Sequence, residues 1–312
     1  MKFTAKASGV FTIAATPFEP DGQLDIASID RLTDFYLACG VTGLTILGIM
    51  GEAGKLEASE AMAVARQVVR RSSVPVIAGV SAPGFAAMRS LARGVMELGA
   101  AGVMIAPPPH LRTDDQIITY FRQAVEAIGA DIPFVIQDYP LLLSVIMTPE
   151  VIRQIVMDHA SCVMLKHEDW PGLEKISALR GFQKDGSLRE LAILTGNGAL
   201  FFDFEMERGA DGAMTGYAFP DMLVDVMRLS QHGQRDAAHD LFDAHLPLIR
   251  YEQQQGIGLA VRKYILHRRG AIAHDAQRVP AAMLSPVAKA EIDYLLARVG
   301  RSDGRAQQLP RP

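Results

Sequence analysis

The sequence predicts a (β/α)8 TIM barrel followed by a C-terminal helical extension. Three observations carry this prediction. Eight short apolar runs alternate with eight amphipathic stretches, a glycine motif recurs where an amphipathic stretch meets the next run, and the last part of the chain is patterned as helix without strands. Strict alternation of strands and helices is typical of parallel α/β folds, and eight repeats close a barrel.

The apolar runs are too short for helices and carry no polar alternation. Such runs are typical of strands that are buried on both faces, as in a parallel sheet. The predicted strands cover residues 9–15, 44–47, 75–80, 103–106, 133–137, 162–166, 191–195 and 212–216.

The amphipathic stretches predict the helices, and three of them begin with recognisable signals. Thr113 to Gln116 forms a capping box, whereas Thr148 and Ser285 each precede a proline that suits the first helical position. The predicted helices cover residues 28–38, 58–72, 85–98, 114–129, 149–157, 172–180, 198–207 and 221–232.

A Gly-x-x-Gly motif followed by an apolar run occurs in residues 38–47, 97–106 and 207–216. Gly40, Gly99 and Gly209 suit the left-handed position just after a helix. The motif therefore predicts a junction between a helix and the next strand, used three times.

These patterns divide the chain into a barrel over 1–232, a helical extension over 233–298 and a disordered tail over 299–312. The alternative fold is an open doubly wound sheet, which usually has a glycine-rich turn after its first strand. The turn here is Thr16-Pro17-Phe18, so the barrel is favoured.

Composition restricts the possible partners and compartment. The 312 residues carry a formal net charge of -4, so nucleic acid is not an expected partner. No apolar run is long enough for a membrane helix, and the first residues lack the pattern of a signal peptide. Cys39 and Cys162 show neither disulfide nor zinc spacing, which fits a reducing cytoplasm.

In this fold the active site lies at the carboxyl ends of the strands. Lys166 ends the apolar run 162–166, where burial would lower the pKa of its amine and free it to attack a carbonyl. The alternative is a lysine that reaches the rim or pairs with Glu168 or Glu52. Tyr139 and Asp138 follow the neighbouring strand and could shuttle protons, and His110 lies at another strand end.

The sequence resembles the dihydrodipicolinate synthase / N-acetylneuraminate lyase family of pyruvate-dependent class I aldolases. The resemblance spans about the whole chain and implies that Lys166 forms a Schiff base with pyruvate or a related 2-oxo acid. It implies substrate-binding roles for Ile49, Met50, Gly51, Gln137, Gly196, Met214 and His110. The matching segments are Gly9–Phe18, Gly48–Glu52, Leu165-Lys166, Thr195–Gly198 and Gly209–Gly216.

The chain departs from the family pattern at several positions. Ile49 and Met50 replace a threonine pair that holds the pyruvate carboxylate, and Gln137 stands where the family has its proton-relay tyrosine. Tyr139 is therefore the candidate proton shuttle, with Asp138 or His110 as fallback. Residues 107–109 lack the tyrosine that a neighbouring subunit contributes, and Leu141–Leu143 lack the arginine that binds the aldehyde substrate.

We therefore expect a cytoplasmic Schiff-base lyase or aldolase with a substrate other than that of the synthases, and a poor dihydrodipicolinate synthase. The apolar loops suggest an aromatic or hydrophobic carbonyl partner. No metal or other cofactor is expected because the iminium is itself the electron sink. The resemblance implies a homotetramer or homodimer.

Two rival functions remain open at this point. A catalytically degenerate barrel could act as a ligand-binding or regulatory protein. A phosphate-binding isomerase or metal aldolase would need a cluster of His, Asp or Glu ligands at the barrel mouth, and the sequence offers none.

Overall fold

A computed structural model describes residues 3–307 and 309 of the chain. Its eight parallel strands form a closed barrel in chain order, and β8 pairs with β1 to complete the ring. This confirms the predicted barrel. The strands are β1 (Gly9–Ile13), β2 (Gly43–Ile46), β3 (Val76–Gly79), β4 (Gly102–Ile105), β5 (Phe134–Asp138), β6 (Cys162–His167), β7 (Ala192–Thr195) and β8 (Gly212–Ala213).

The helices surround the barrel, and the three predicted start signals are confirmed at α4, α6 and α12. The helices are α1 (Ile26–Ala38), α2 (Ala58–Arg71), α3 (Phe85–Glu97), α4 (Asp114–Ile128), α5 (Pro140–Leu143), α6 (Pro149–Asp158), α7 (Leu173–Lys184), α8 (Phe202–Glu207), α9 (Pro220–Gln231), α10 (Arg235–Glu252), α11 (Gly258–Arg268) and α12 (Pro286–Ser302).

Each strand is buried on both faces, so the barrel separates two apolar cores. Inward-facing side chains such as Met104, Val135 and Met164 fill the barrel itself. Outward-facing side chains such as Ile136 and Leu165 pack between the strands and the helices. This alternation decides which residues near each strand end face the barrel mouth, by which we mean the carboxyl end of the barrel.

Some boundaries differ from the sequence prediction. The loop after β5 contains the short helix α5, which the apolar pattern does not predict. The predicted helix over 198–207 begins only at Phe202, because residues 197–199 form a separate 3₁₀ turn. Helix α12 continues to Ser302 and a 3₁₀ turn follows at Gly304–Ala306, so ordered structure extends past residue 298. The rest of the predicted tail, residues 308 and 310–312, lies outside the described residues.

The C-terminal extension, formed by α10, α11 and α12, is fastened to the barrel mouth by Lys263. This α11 lysine is fully buried, and its Nζ lies 2.6 Å from Oε1 of Glu52 in the loop after β2. The same ammonium donates to the carbonyl oxygens of Thr16 and Ala276, each at 2.8 Å. Burial of an ammonium is tolerated here because all three of its protons have acceptors. Within the described residues, no helix is both long and apolar enough to cross a membrane.

We predict that Lys263→Met will destabilise the fold by about 3–5 kcal/mol, because it removes one partner of a buried ion pair and orphans two buried carbonyls. Chemical unfolding in urea, followed by circular dichroism, measures the change as a lower midpoint. Lys289→Met is the matched control, because the Lys289–Asp275 pair lies at the surface with the Lys289 side chain 43% exposed. Equal midpoints for Lys263→Met and Lys289→Met would contradict the role given to Lys263.

Candidate active site

A cavity of about 550 Å³ opens at the barrel mouth. The end of β1 and the loops after β2, β5, β6, β7 and β8 form its walls, and the end of α10 and the start of α11 form the remaining side. The cavity therefore lies where barrels of this type carry their active sites. Its size suits a small molecule.

Lys166 lies in the wall of this cavity, one residue before the end of β6. Its side chain is only 6% exposed, and its Nζ lies 2.8 Å from Oε2 of Glu168. Strand alternation explains the pair: Met164 faces the barrel interior, so Lys166 and then Glu168 follow it on the same side. The two charges partly offset the cost of burying each other.

Glu168 is held by three donors. Lys166 and the Nε2 of Gln137 both reach its Oε2 at 2.8 Å, and the backbone N–H of Asn197 donates to its Oε1 at 3.2 Å. Gly196 makes room for the carboxylate, because a Cβ atom at that position would lie 2.5 Å from Cγ of Glu168. The carboxylate is thus fixed beside the amine as a proton acceptor.

Gln137 and Tyr139 approach the same cavity from β5. In the register of the sheet Gln137 pairs with Lys166, which places the two side chains next to each other. Tyr139 comes two residues later and lines the cavity. Burial raises the pKa of the Tyr139 phenol, and the negative charge of Glu168 acts in the same direction. The phenol is therefore a proton donor at neutral pH.

The cavity brings together five of the residues that the sequence predicts for the site. They are Lys166, Tyr139, Gln137, Ile49 and Met50. Gly51 and Gly196 do not line it: the carbonyl of Gly51 accepts from the Thr16 hydroxyl at 2.6 Å, and Gly196 acts by leaving space for Glu168.

Three other predicted residues lie elsewhere. Asp138 is fully buried outside the cavity, with its Oδ2 2.9 Å from Nζ of Lys175 in α7, because strand alternation turns it away from its neighbours Gln137 and Tyr139. Met214 is packed in the interior of the barrel, and His110 is an exposed residue that does not line the cavity.

The structure adds residues that the sequence analysis does not assign to the site. The sequence names Glu168 only as an alternative ion-pair partner of Lys166, and the structure contains that pair. Arg262, Glu252 and Gln253 come from the C-terminal extension, where no local motif marks them. Nε of Arg262 donates to Oε1 of Glu252 at 2.7 Å, and Nε2 of Gln253 donates to Oδ1 of Asn197 at 2.8 Å.

Glu52 does not line the cavity, in agreement with a structural role for this residue. Its carboxylate binds Lys263 and also lies 2.8 Å from Nζ of Lys55, so it holds the loop that carries Ile49 and Met50.

The sequence model of the Dihydrodipicolinate synthetase family matches residues 6–298. An L-2-keto-3-deoxyarabonate dehydratase of Azospirillum brasilense is 30% identical over 313 residues, which cover 95% of this chain and 96% of that protein. A 4-hydroxy-tetrahydrodipicolinate synthase of Xanthomonas axonopodis pv. citri is 30% identical over 311 residues, which cover 93% of this chain and 99% of that protein.

A solved structure is also similar to this chain. The crystal structure described as dihydrodipicolinate synthase from Rhodopseudomonas palustris superimposes with a TM-score of 0.95 at 70% sequence identity. The match covers 96% of this chain and 99% of that chain.

Proposed function

The chain belongs to the dihydrodipicolinate synthetase family, and on that premise we propose that it is an imine-forming lyase that acts on a 2-oxo acid. The observation that carries the proposal is the buried Lys166 amine, 2.8 Å from the Glu168 carboxylate in a cavity at the barrel mouth. Family membership alone does not select the reaction, because the two curated relatives have different activities. The choice of reaction therefore depends on the residues of the site.

Formation of the imine requires the Lys166 ammonium to lose a proton, and Glu168 is the acceptor in contact with it. The free amine then adds to the C2 carbonyl of the substrate. Two of the three ammonium protons leave with the carbonyl oxygen as water, by way of Glu168, and the third stays on the iminium nitrogen. The iminium draws electrons from C3 and makes the C3 proton acidic.

The cavity contains both groups that an elimination needs after this step. The Glu168 carboxylate can take the C3 proton, and the Tyr139 phenol can protonate a leaving hydroxyl at C4, which departs as water. We therefore favour a carbon–oxygen lyase reaction. A retro-aldol cleavage of the C3–C4 bond would pass through the same iminium.

Several expectations from the sequence stay predictions. The chain is expected to be a poor 4-hydroxy-tetrahydrodipicolinate synthase, because Leu141–Leu143 replace the arginine that binds the aldehyde substrate. Self-association into a dimer or tetramer and a cytoplasmic location are also expected. The rival ligand-binding function is not favoured, since both curated relatives are enzymes.

Reductive trapping tests the proposed function. After incubation with pyruvate and borohydride, the peptide that carries Lys166 should gain the mass of one reduced pyruvate adduct. Lys175 is an internal control, because it is also a buried lysine paired with a carboxylate. Labelling of Lys175 alone, or no labelling with pyruvate or larger 2-oxo acids, would overturn the assignment of Lys166. Lys166→Ala should lower turnover by several orders of magnitude and leave the circular dichroism spectrum unchanged.

Two conservative variants separate the roles of Glu168 and Tyr139. Glu168→Gln keeps the shape but cannot accept a proton, so it should slow imine formation roughly 10²- to 10⁴-fold. Tyr139→Phe removes only the hydroxyl and should lower turnover more than imine formation. Time courses of borohydride trapping measure the first step, and product release measures the whole reaction. If Tyr139→Phe abolishes trapping while Glu168→Gln does not, Tyr139 is the proton shuttle for imine formation.

A further inference from the structure

We propose that Lys175 is a positioning residue, which fixes the Tyr139 phenol relative to the Glu168 carboxylate from outside the cavity. Lys175 belongs to α7 and does not line the cavity, whereas Tyr139 and Glu168 both do. This inference rests on the proposed function, in which the Tyr139 phenol protonates the leaving hydroxyl. It adds the residue that holds this proton donor in place.

The Tyr139 phenol depends on the neighbouring backbone for its position. Its hydroxyl group makes no hydrogen bond with any of residues 3–307 and 309, and β5 ends one residue before it. After Tyr139 the chain is fixed by α5, because the N–H of Leu143 donates to the Tyr139 carbonyl at 2.9 Å. Before Tyr139 it is fixed at Asp138, whose carbonyl accepts from the N–H of Glu168 at 2.8 Å. The position of the phenol therefore follows the position of Asp138.

Lys175 joins the two chain segments that carry the proton donor and the proton acceptor. Its Nζ lies 2.9 Å from Oδ2 of Asp138, which directly precedes Tyr139 in the sequence. The same Nζ lies 2.5 Å from Oδ2 of Asp169, which directly follows Glu168. Strand alternation directs the Asp138 carboxylate away from the cavity and towards α7. One ammonium thus holds the end of β5 beside the loop after β6.

This link is firm because its groups are buried and hydrogen-bonded. The Lys175 side chain is 8% exposed, and the Asp138 side chain is fully buried. The Nζ also donates to the carbonyl of Met147 at 2.7 Å, so each of its three protons has an acceptor. Movement of Asp138 away from Nζ would leave a buried charge unpaired, which is strongly unfavourable.

The position of the phenol matters because proton transfer depends on close geometry. A displacement of about 1 Å can lower the rate of a step roughly 10²-fold. Glu168 has three donors of its own, so its position does not depend on Lys175. Loss of Lys175 should therefore impair the step that uses Tyr139 and spare imine formation, which uses Lys166 and Glu168.

The test measures two rates in the wild type and in Lys175→Met. Imine formation is followed by borohydride trapping of pyruvate on Lys166. Dehydration is followed with 4-hydroxy-2-oxopentanoate, which loses its C3 proton and its C4 hydroxyl as water and gives a conjugated product that absorbs in the ultraviolet. Lys175→Met should lower the dehydration rate about 10²-fold and leave the trapping rate within a few-fold of the wild type.

A double variant distinguishes positioning from a general structural effect. If Lys175 acts through Tyr139, then Lys175→Met combined with Tyr139→Phe should dehydrate the substrate no more slowly than Tyr139→Phe alone. The reason is that the hydroxyl group which Lys175 positions is already absent. Independent effects of the two substitutions on the rate would instead multiply.

Lys184→Met is the matched control. It makes the same change at an exposed lysine at the end of the same helix, and both rates should be unchanged. If Lys175→Met does not fold, Asp169→Ala gives a second test, because it keeps the Lys175–Asp138 pair and removes the link to the segment that carries Glu168. It should also lower dehydration more than trapping.

The outcomes separate this inference from the proposed function. An unchanged dehydration rate, an equal loss of both rates, or multiplied effects in the double variant would overturn the role of Lys175 and leave the imine chemistry in place. Trapping in the wild type without dehydration would overturn the role of Tyr139 and, with it, that of Lys175. Failure to trap any 2-oxo acid would overturn the proposed function as well.

Discussion

The ammonium of Lys166 is buried at the carboxyl end of an apolar strand, where it is stable only beside a carboxylate. Glu168 supplies that carboxylate at 2.8 Å, and breaking a buried pair of this kind costs about 3–5 kcal/mol. Other features of the site follow from the need to hold Glu168. Gln137 and the backbone of Asn197 donate to it, and Gly196 leaves the space that it occupies. A carboxylate fixed beside an amine can also accept its proton, so one interaction serves both stability and chemistry.

The C-terminal extension completes the site. Two consecutive residues of α11 contact the barrel mouth in different ways: Lys263 holds Glu52 and its loop, whereas Arg262 lines the cavity together with Glu252. The apolar loop residues suggest a hydrophobic partner when they are considered alone. The extension adds Arg262, Glu252 and Gln253 to the same cavity, so polar groups line it beside the apolar loop residues.

Local patterns in the sequence account for the barrel and for Lys166. Buried parallel strands and the turns between them are encoded by short segments, and a charged residue that ends an apolar strand is conspicuous. Strand alternation puts Gln137 and Tyr139 on one face of the chain and Asp138 on the other. The sequence alone does not show where β5 ends, so it does not show which of these two faces meets the cavity. Arg262 could not be predicted, because its place depends on how a distant helix packs over the barrel mouth. His110 is the opposite example. Its position after a strand suggests a role in the active site, but in the structure its side chain is exposed.

The account depends most on the covalent chemistry of Lys166. A crystal structure of the enzyme soaked with pyruvate tests it directly. We expect continuous electron density from Nζ of Lys166 to C2 of pyruvate, with the Glu168 carboxyl still within hydrogen-bond distance of the new bond. Pyruvate bound without a covalent link, beside an intact Lys166–Glu168 ion pair, would contradict the account.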